Sequence, residues 1–496
     1  MTVTTPPARR DWHASSWGWL RSLVAAGGLV LLGLFLARAP LSWCALLVCG
    51  GVGLALLLRY PTLGLYALAI SVPFGSLREF SLAGVTVGAS EALVLITVAA
   101  WFAHMLALRR FRLVRSRVVW GVLCYLAVLL VSLLPATDLV PALKQLAKWV
   151  EFLFVYLLVA GEVGERAQHY LVAALLTAGI LEGALGIYQF IFQVGPAGFV
   201  LFGRYMRAYG TFQQPNPFGG YLGLSLPLAY GVALTQGKRA LRVWRERSPG
   251  PLLLWVLSLV ATAVMSAALV MSWSRGALLG LAAGAALVLL ALGRRVWVAV
   301  AVLALVLLLV APAFMGVLPT DLLTRITGSF SIPDANALAS VEITDENFAT
   351  IERLAHWQAA WRMFEQHPWL GVGTGQYATA YAAVALPRWQ DSLGHAHNYY
   401  LNVLAENGLL GLAGYAAFVL LALAAAWRAA HRGTPWQRAL ALGALGMLGH
   451  LLTHSLVDNL YVHEMYLLVA ILLGLAVSKH PGEAIEKRAR MARLQL

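Results

Sequence analysis

Long apolar runs follow one another along nearly the whole chain, separated by short polar stretches and one extended hydrophilic segment. A helix needs about 20 apolar residues to cross a bilayer. Inside hydrocarbon, only helices and closed barrels satisfy their own backbone polar groups. Runs of this length and number predict an all-α polytopic membrane protein. They fall near 20–37, 41–58, 62–74, 88–107, 118–134, 148–163, 170–193, 217–235, 251–271, 277–292, 296–312, 409–427, 437–456 and 461–478. Several are short and their ends are soft, so the expectation is about 12–14 transmembrane helices. Composition agrees: 60% of the 496 residues are hydrophobic and 12% charged, outside the range of soluble globular domains.

Arg9 and Arg10 ahead of the first run imitate a signal peptide. No small-residue cleavage site follows, which predicts an uncleaved first span. Cys44, Cys49 and Cys124 lie inside apolar runs without metal-ligand spacing, so neither a zinc site nor a disulfide framework is suggested.

Lys and Arg in short loops face the cytoplasm. The clusters are Arg109, Arg110, Arg112, Arg115 and Arg117; Lys238, Arg239, Arg242, Arg245 and Arg247; Arg294 and Arg295; Arg428, Arg432 and Arg438; and Lys487, Arg488, Arg490 and Arg493. With alternating spans all of them fall on one side, and both termini are cytoplasmic. The net charge of +14 is then a topology signal and not a nucleic-acid footprint. The expected organisation is N-terminal spans over 1–200, central spans over 201–311, a long outer loop over 312–397, C-terminal spans over 398–478 and a basic tail over 479–496.

Within the outer loop, apolar residues from Thr350 through Trp361, Phe364 and Trp369 repeat at helical spacing, which predicts an amphipathic helix on the outer membrane surface. The following His367-Pro368-Trp369-Leu370-Gly371-Val372-Gly373-Thr374-Gly375 is a turn. Its glycines follow no strand and open no lysine-bearing helix, so it is not a phosphate loop. No period of 20–50 residues marks a repeat protein.

Several basic residues break the charge rule. Arg38, Arg78, Lys144 and Lys148 land on the outer side, as do Arg204 and Arg207, just ahead of Gly210-Thr211-Phe212-Gln213-Gln214-Pro215-Asn216. Arg275 occupies Ser272-Trp273-Ser274-Arg275-Gly276, a hairpin tight enough to hold its guanidinium at the membrane boundary. An Arg placed toward the bilayer is costly. It either snorkels to the interface or meets an anion, and acidic neighbours are sparse here. Its planar fork suits a phosphate.

A second polar concentration is His395-Ala396-His397-Asn398-Tyr399-Tyr400, followed by Glu406-Asn407-Gly408-Leu409-Leu410-Gly411. Asn407-Gly408 is a helix stop, so a short helix over Asn398 to Glu406 precedes a span restarting near Leu409. His397 then sits at a helix N-terminus, where the positive partial charge disfavours the imidazolium and leaves a neutral ring able to accept a proton. With Asn398, that terminus also attracts anionic oxygens. His395 is the second candidate base. His454, Asp458, Asn459, His463 and Glu464 either orient the base or belong to an ordinary loop, whereas His356 and His367 are expected on the surface.

His397-Asn398, nine residues and then Gly408-Leu409-Leu410-Gly411 resembles the signature of bacterial O-antigen ligases and related oligosaccharide transferases. The resemblance extends to Arg207-Ala208-Tyr209-Gly210-Thr211-Phe212 with Pro215-Asn216, to Ser274-Arg275-Gly276, and to the His367–Gly373 turn. It implies a GT-C type glycosyltransferase of the bacterial inner membrane that works on its periplasmic face, without metal or cofactor. The donor it implies is a glycan on undecaprenyl pyrophosphate, clamped by Arg207 and Arg275, with Arg204 and Asn398 as further phosphate contacts. His397 would deprotonate the acceptor hydroxyl for inverting attack, with Asn216, Gly408 and Gly411 in support. The absence of paired carboxylates is in keeping with transfer and not glycoside hydrolysis. A ligase would use lipid A-core as acceptor, and a polymerase a second carrier-linked glycan; the His-Asn to Gly-x-x-Gly spacing is the ligase form. A transporter would show pseudo-symmetric halves, and the outer loop has no counterpart in the first half.

Overall fold

The computed structural model describes residues 40–75, 79–82, 85–109, 114, 116–201, 203–245, 249–293, 343 and 348–478, with scattered positions between 23 and 38. The expected span at 296–312, most of that at 20–37, the first part of the outer loop, Arg294 with Arg295, and the basic tail lie outside the described residues. The described residues up to Tyr60 form one compact unit and those from Pro61 a second. The first contains α1 (Leu41–Arg59), long and apolar enough to span a membrane.

Among its described residues the second unit is helical apart from loops and two short hairpins. Its described α-helices are α2 (Thr62–Phe74), α3 (Ala89–Leu108), α4 (Arg117–Val131), α5 (Leu139–Glu162), α6 (Glu165–Phe192), α7 (Pro215–Arg245), α8 (Gly250–Met271), α9 (Arg275–Ala291), α10 (Phe348–Gln366), α11 (Tyr377–Tyr381), α12 (Tyr399–Arg432), α13 (Pro435–His454) and α14 (Met465–Val477). The hairpins are β1 (Glu79–Leu82) with β2 (Val85–Gly88), and β3 (Val200–Leu201) with β4 (Tyr205–Met206), each antiparallel. Each described helix except α10 and α11 lies on a predicted apolar run, so the chain is an all-α polytopic membrane protein.

α13 and α14 are buried almost all round, as helices apolar on every face must be. α13 packs against α7, α9 and α12, and α14 against α5. With no water to expel, helix association in a membrane relies on close contact between small residues. α9 and α13 meet that way: a Cβ on Gly284 would stand 2.5 Å from the Gly446 carbonyl oxygen.

The predicted stop at Asn407-Gly408 is a real break. Gly408 has φ 61 and ψ −159 in the middle of α12, so a short first segment meets a long second one there. The backbone groups released by the break are taken up by the His367–Gly373 turn. The Leu409 amide donates to Pro368 O at 2.8 Å and that of Leu410 to Trp369 O at 3.3 Å. In return, the Val372 amide donates to Ala405 O at 2.8 Å and that of Gly373 to Glu406 O at 3.0 Å. Two motifs far apart in sequence are thereby spliced. Gly371 (φ 66) and Gly408 lie at the crossing, where a Cβ on either would stand 2.3 Å from a backbone carbonyl carbon of the other strand. Gly408→Ala is expected to lose about 1–3 kcal/mol to backbone strain alone, and more to the clash with Trp369. A thermal unfolding scan in detergent checks this, and an unchanged midpoint would refute it.

α10 turns Ile351, Ala355, His356, Ala359, Ala360 and Met363 inward and leaves Phe348 and Trp361 exposed. Ala359, Ala360 and Met363 pack with Tyr377, Tyr381, Ala396 and Ala405. This apolar face is covered by protein.

Candidate active site

Three motif stretches meet around Arg207. Its Nε donates to the Ser272 carbonyl at 2.9 Å and its Nη2 to Asn216 Oδ1 at 3.1 Å. Asn216 thus orients the guanidinium from the start of α7. The loop carrying Arg207 is anchored from α6: Gln189 Oε1 accepts from the Tyr209 and Gly210 amides at 3.1 and 2.7 Å, and Glu182 Oε1 accepts from the Thr211 amide at 2.7 Å. Arg204, at the tip of the β3–β4 hairpin, is exposed and lies 5.3 Å from the Tyr205 ring centroid, outside this cluster.

The Ser272–Gly276 hairpin is as tight as its sequence predicts. α8 ends at Met271 and α9 begins at Arg275. Trp273 takes a left-handed conformation (φ 53) in the turn, and Ser274 caps α9 by accepting from the Ala277 amide at 3.4 Å. Arg275 is therefore the first residue of α9, in the same short hairpin as Ser272, whose carbonyl holds Arg207. The next residue, Gly276, lies against the His454 ring on α13.

The histidine motif is built from α12 and the loop before it. Asn398 is the N-cap of α12: its Oδ1 accepts from the Tyr400 and Leu401 amides at 3.0 and 3.1 Å. Its carbonyl-type oxygen is thus engaged with the helix itself. Asn402 reaches back to the Ala396 amide at 3.1 Å, and the Tyr399 amide donates to Ser455 O at 2.9 Å. These bonds hold His397 in a left-handed conformation (φ 51), rare for a residue with a Cβ. Trp357 Nε1 on α10 donates to the His397 carbonyl at 3.4 Å. Gly411 leaves room for the Asn407 side chain, whose Oδ1 accepts from Thr374 Oγ1 at 2.7 Å.

His397 Nδ1 lies 3.7 Å from Asp458 Oδ1, and its Nε2 is buried with no hydrogen-bond partner. The His395 ring centroid is 4.3 Å from that of His397, and His395 Nδ1 accepts from the His397 amide at 3.1 Å. Each of His395, His397 and Asp458 brings a ligand-type atom within 4.8 Å of the others. Burial alone would raise the Asp458 carboxyl. His397, then His454, Arg353 and His395, outweigh it and hold the group below the usual carboxylate range. Asp458 is thus a buried carboxylate facing an imidazole. Arg353 of α10 acts electrostatically on both Asp458 and His454, so the outer loop adds an arginine here that sequence reasoning missed.

His367 is exposed as expected, but His356 is not a surface residue. It is 1% exposed, packs against the Tyr381 ring, pairs with the Tyr377 hydroxyl at 3.2 Å and has its centroid 5.5 Å from that of His397. Its helix turns that face onto α11.

Burial first, and His397 second, push His356 and His395 each down to about 4. Both stay neutral in the fold, while in the unfolded chain they take protons near 6.5. The unfolded state therefore binds more protons between these values. The stability held above about 6.5 is lost as pH falls toward 4. The unfolding midpoint of the wild type is expected to drop across that window, and less steeply in His356→Phe. Equal slopes would contradict the neutral burial of His356.

Residues 260–416 match the family model described as O-antigen ligase. This region belongs to the O-antigen ligase-like superfamily. The O-antigen ligase region runs from within α8 to within α12 and contains Arg275, His395, His397, Asn398, Gly408 and Gly411, while Arg207, Asn216 and Asp458 lie outside it. At this level the chain is a multi-pass membrane protein whose 260–416 region is of the O-antigen ligase type. No curated protein matches the chain.

Proposed function

We propose that this O-antigen ligase-like protein moves a glycan from undecaprenyl pyrophosphate to a sugar hydroxyl of lipid A-core, with inversion and without metal, on the periplasmic face of the inner membrane. The observation that carries the reading is the His397 ring. Its Nδ1 faces a buried carboxylate, while its Nε2 is buried and makes no bond within the protein. Asp458 favours the tautomer with the proton on Nδ1, which leaves the Nε2 lone pair for the acceptor hydroxyl. The 3.7 Å separation suits a contact that tightens once substrate is bound.

The acceptor oxygen, losing its proton to Nε2, attacks the anomeric carbon as the bond to pyrophosphate breaks. A pyrophosphate leaving group carries its own negative charge, so it needs fixed positive charge more than a proton. Arg207 and Arg275, positioned through one short hairpin, supply it, and each guanidinium can donate two parallel hydrogen bonds to phosphate oxygens. Arg353 adds positive charge on the side of the base. α10, clamped to the His397 carbonyl through Trp357, screens the reacting centre from water, as transfer without hydrolysis requires. The basic loops support an orientation with both termini in the cytoplasm and the site outside.

A polymerase would use the same machinery with a second carrier-linked glycan as acceptor. Reconstitution with a lipid-pyrophosphate-linked glycan and both acceptors in competition separates the two. Lipid A-core is expected to acquire the glycan, and transfer is expected to survive exhaustive chelation. Extension of the carrier-linked glycan alone would make the chain a polymerase, and rescue by Mg²⁺ or Mn²⁺ after chelation would overturn the metal-free mechanism.

A further inference from the structure

We infer that His395, His397 and Asp458 form a trap for a divalent transition-metal ion, and that an ion held there silences the enzyme by occupying the nitrogen that must carry the proton. The inference rests on His397 being the base, but the binding it requires is measured independently of transfer.

The donor set is the first reason. Two imidazoles and one carboxylate, with ligand-type atoms within 4.8 Å of one another, suit zinc, cobalt or nickel. Magnesium and calcium prefer oxygen donors throughout and are poorly matched. Metal–nitrogen and metal–oxygen bonds to zinc are about 2.0–2.2 Å long, which places neighbouring donors about 3.3 Å apart. The Nδ1 to Oδ1 separation of 3.7 Å is already close to that.

The local backbone is the second reason. His395 and His397 are two residues apart, with the left-handed turn at His397 held by bonds from Asn402, Tyr399 and Trp357. Their ring centroids are 4.3 Å apart as a result. This pair is ordered before any ion arrives.

The consequence for catalysis follows from tautomerism. A neutral imidazole carries one proton. Coordination through His397 Nδ1 takes the lone pair on that nitrogen, so the ring proton must sit on Nε2. Nε2 then donates a hydrogen bond and cannot accept the acceptor's proton. The same ion removes the Asp458 carboxylate from its role as hydrogen-bond acceptor. Coordination through His395 Nδ1 also displaces the His397 amide bond, and Arg353 opposes a cation next to Asp458. Both effects weaken the trap, so occupancy is expected at roughly micromolar ion and not at the much tighter level of structural zinc sites.

The test uses the full-length protein in detergent, chelator-treated and dialysed, titrated with Co²⁺ by absorption and with Zn²⁺ by calorimetry. The wild type is expected to bind one ion per chain, with the visible bands of a low-coordinate cobalt site. His395→Gln and Asp458→Asn should each weaken binding by at least tenfold, while His431→Gln, at an exposed histidine, should bind as the wild type does. Transfer by the wild type should fall with added Zn²⁺ at the concentration that fills the site and return on chelation. No saturable ion in the wild type, or binding indifferent to both His395→Gln and Asp458→Asn, overturns the trap. A filled site with undiminished transfer overturns the silencing. The cobalt spectrum of the wild type stands even where a variant fails to fold. Loss of the trap leaves the role of His397 as base untouched, because that role is decided by transfer assays on metal-free protein.

Discussion

His397→Ala is expected to abolish glycan transfer while the protein inserts and purifies like the wild type. A positioned general base contributes roughly 10²–10⁴-fold, so residual transfer should fall to about a hundredth of the wild-type rate or lower. The argument rests on which nitrogen is available. In His397, Nδ1 is turned to Asp458 and Nε2 is buried without a partner. In His395, Nδ1 is engaged with the His397 amide, which gives that ring a part in holding the turn. The two imidazoles should therefore separate in kinetics. His395→Ala is expected to reduce transfer by a smaller factor than His397→Ala. If His397→Ala retains near-normal transfer on metal-free protein, the base is His395 or a carboxylate.

Arg275→Lys is expected to lower turnover by at least about tenfold, and Arg275→Ala by roughly 10²–10³-fold, the loss seen when one preorganised charge-stabilising donor is removed. Arg275 has little freedom: it is the first residue of α9, between the Ser274 cap and Gly276, which lies against His454. A lysine at that position keeps a point charge but loses the planar fork. The fall should appear in kcat more than in KM, because the charge to be stabilised develops as the sugar–phosphate bond breaks. Arg207→Lys should behave similarly, since it gives up the bonds to Ser272 and Asn216 that orient the guanidinium. A fully active Arg275→Lys would remove the pyrophosphate clamp.

The spans were legible because a bilayer imposes length and apolarity on each segment separately. The break in α12 was legible for a related reason: Asn407-Gly408 carries its own stop signal, and Gly408 adopts the backbone that only glycine takes readily. Arg207, Arg275 and His397 stood out as charge or imidazole where the local pattern calls for neither. Asp458 was one of five residues able to orient the base, and only the fold singles it out; Arg353 and His356 did not stand out, because each is an ordinary amphipathic-helix residue until the fold brings it toward His397. His356 shows the limit most clearly. Beside Trp357 and Gln358 it reads as part of a solvated face, yet Tyr377 and Tyr381, about a helix length downstream, cover it. The terminal role of Asn398 was visible in its position, but its engagement as the cap of α12 shows only in the fold.

The splice between the His367–Gly373 turn and the broken helix makes residues 367–411 a single mechanical cassette. Its two ends exchange backbone bonds, so the stretch between them closes as a loop whose ends cannot drift apart. Chimeras that trade outer segments between related enzymes, in search of new acceptor preferences, should be cut outside this cassette. A junction at 380 or 390 would pair one protein's turn with another's helix break and leave four backbone bonds to re-form across a foreign seam.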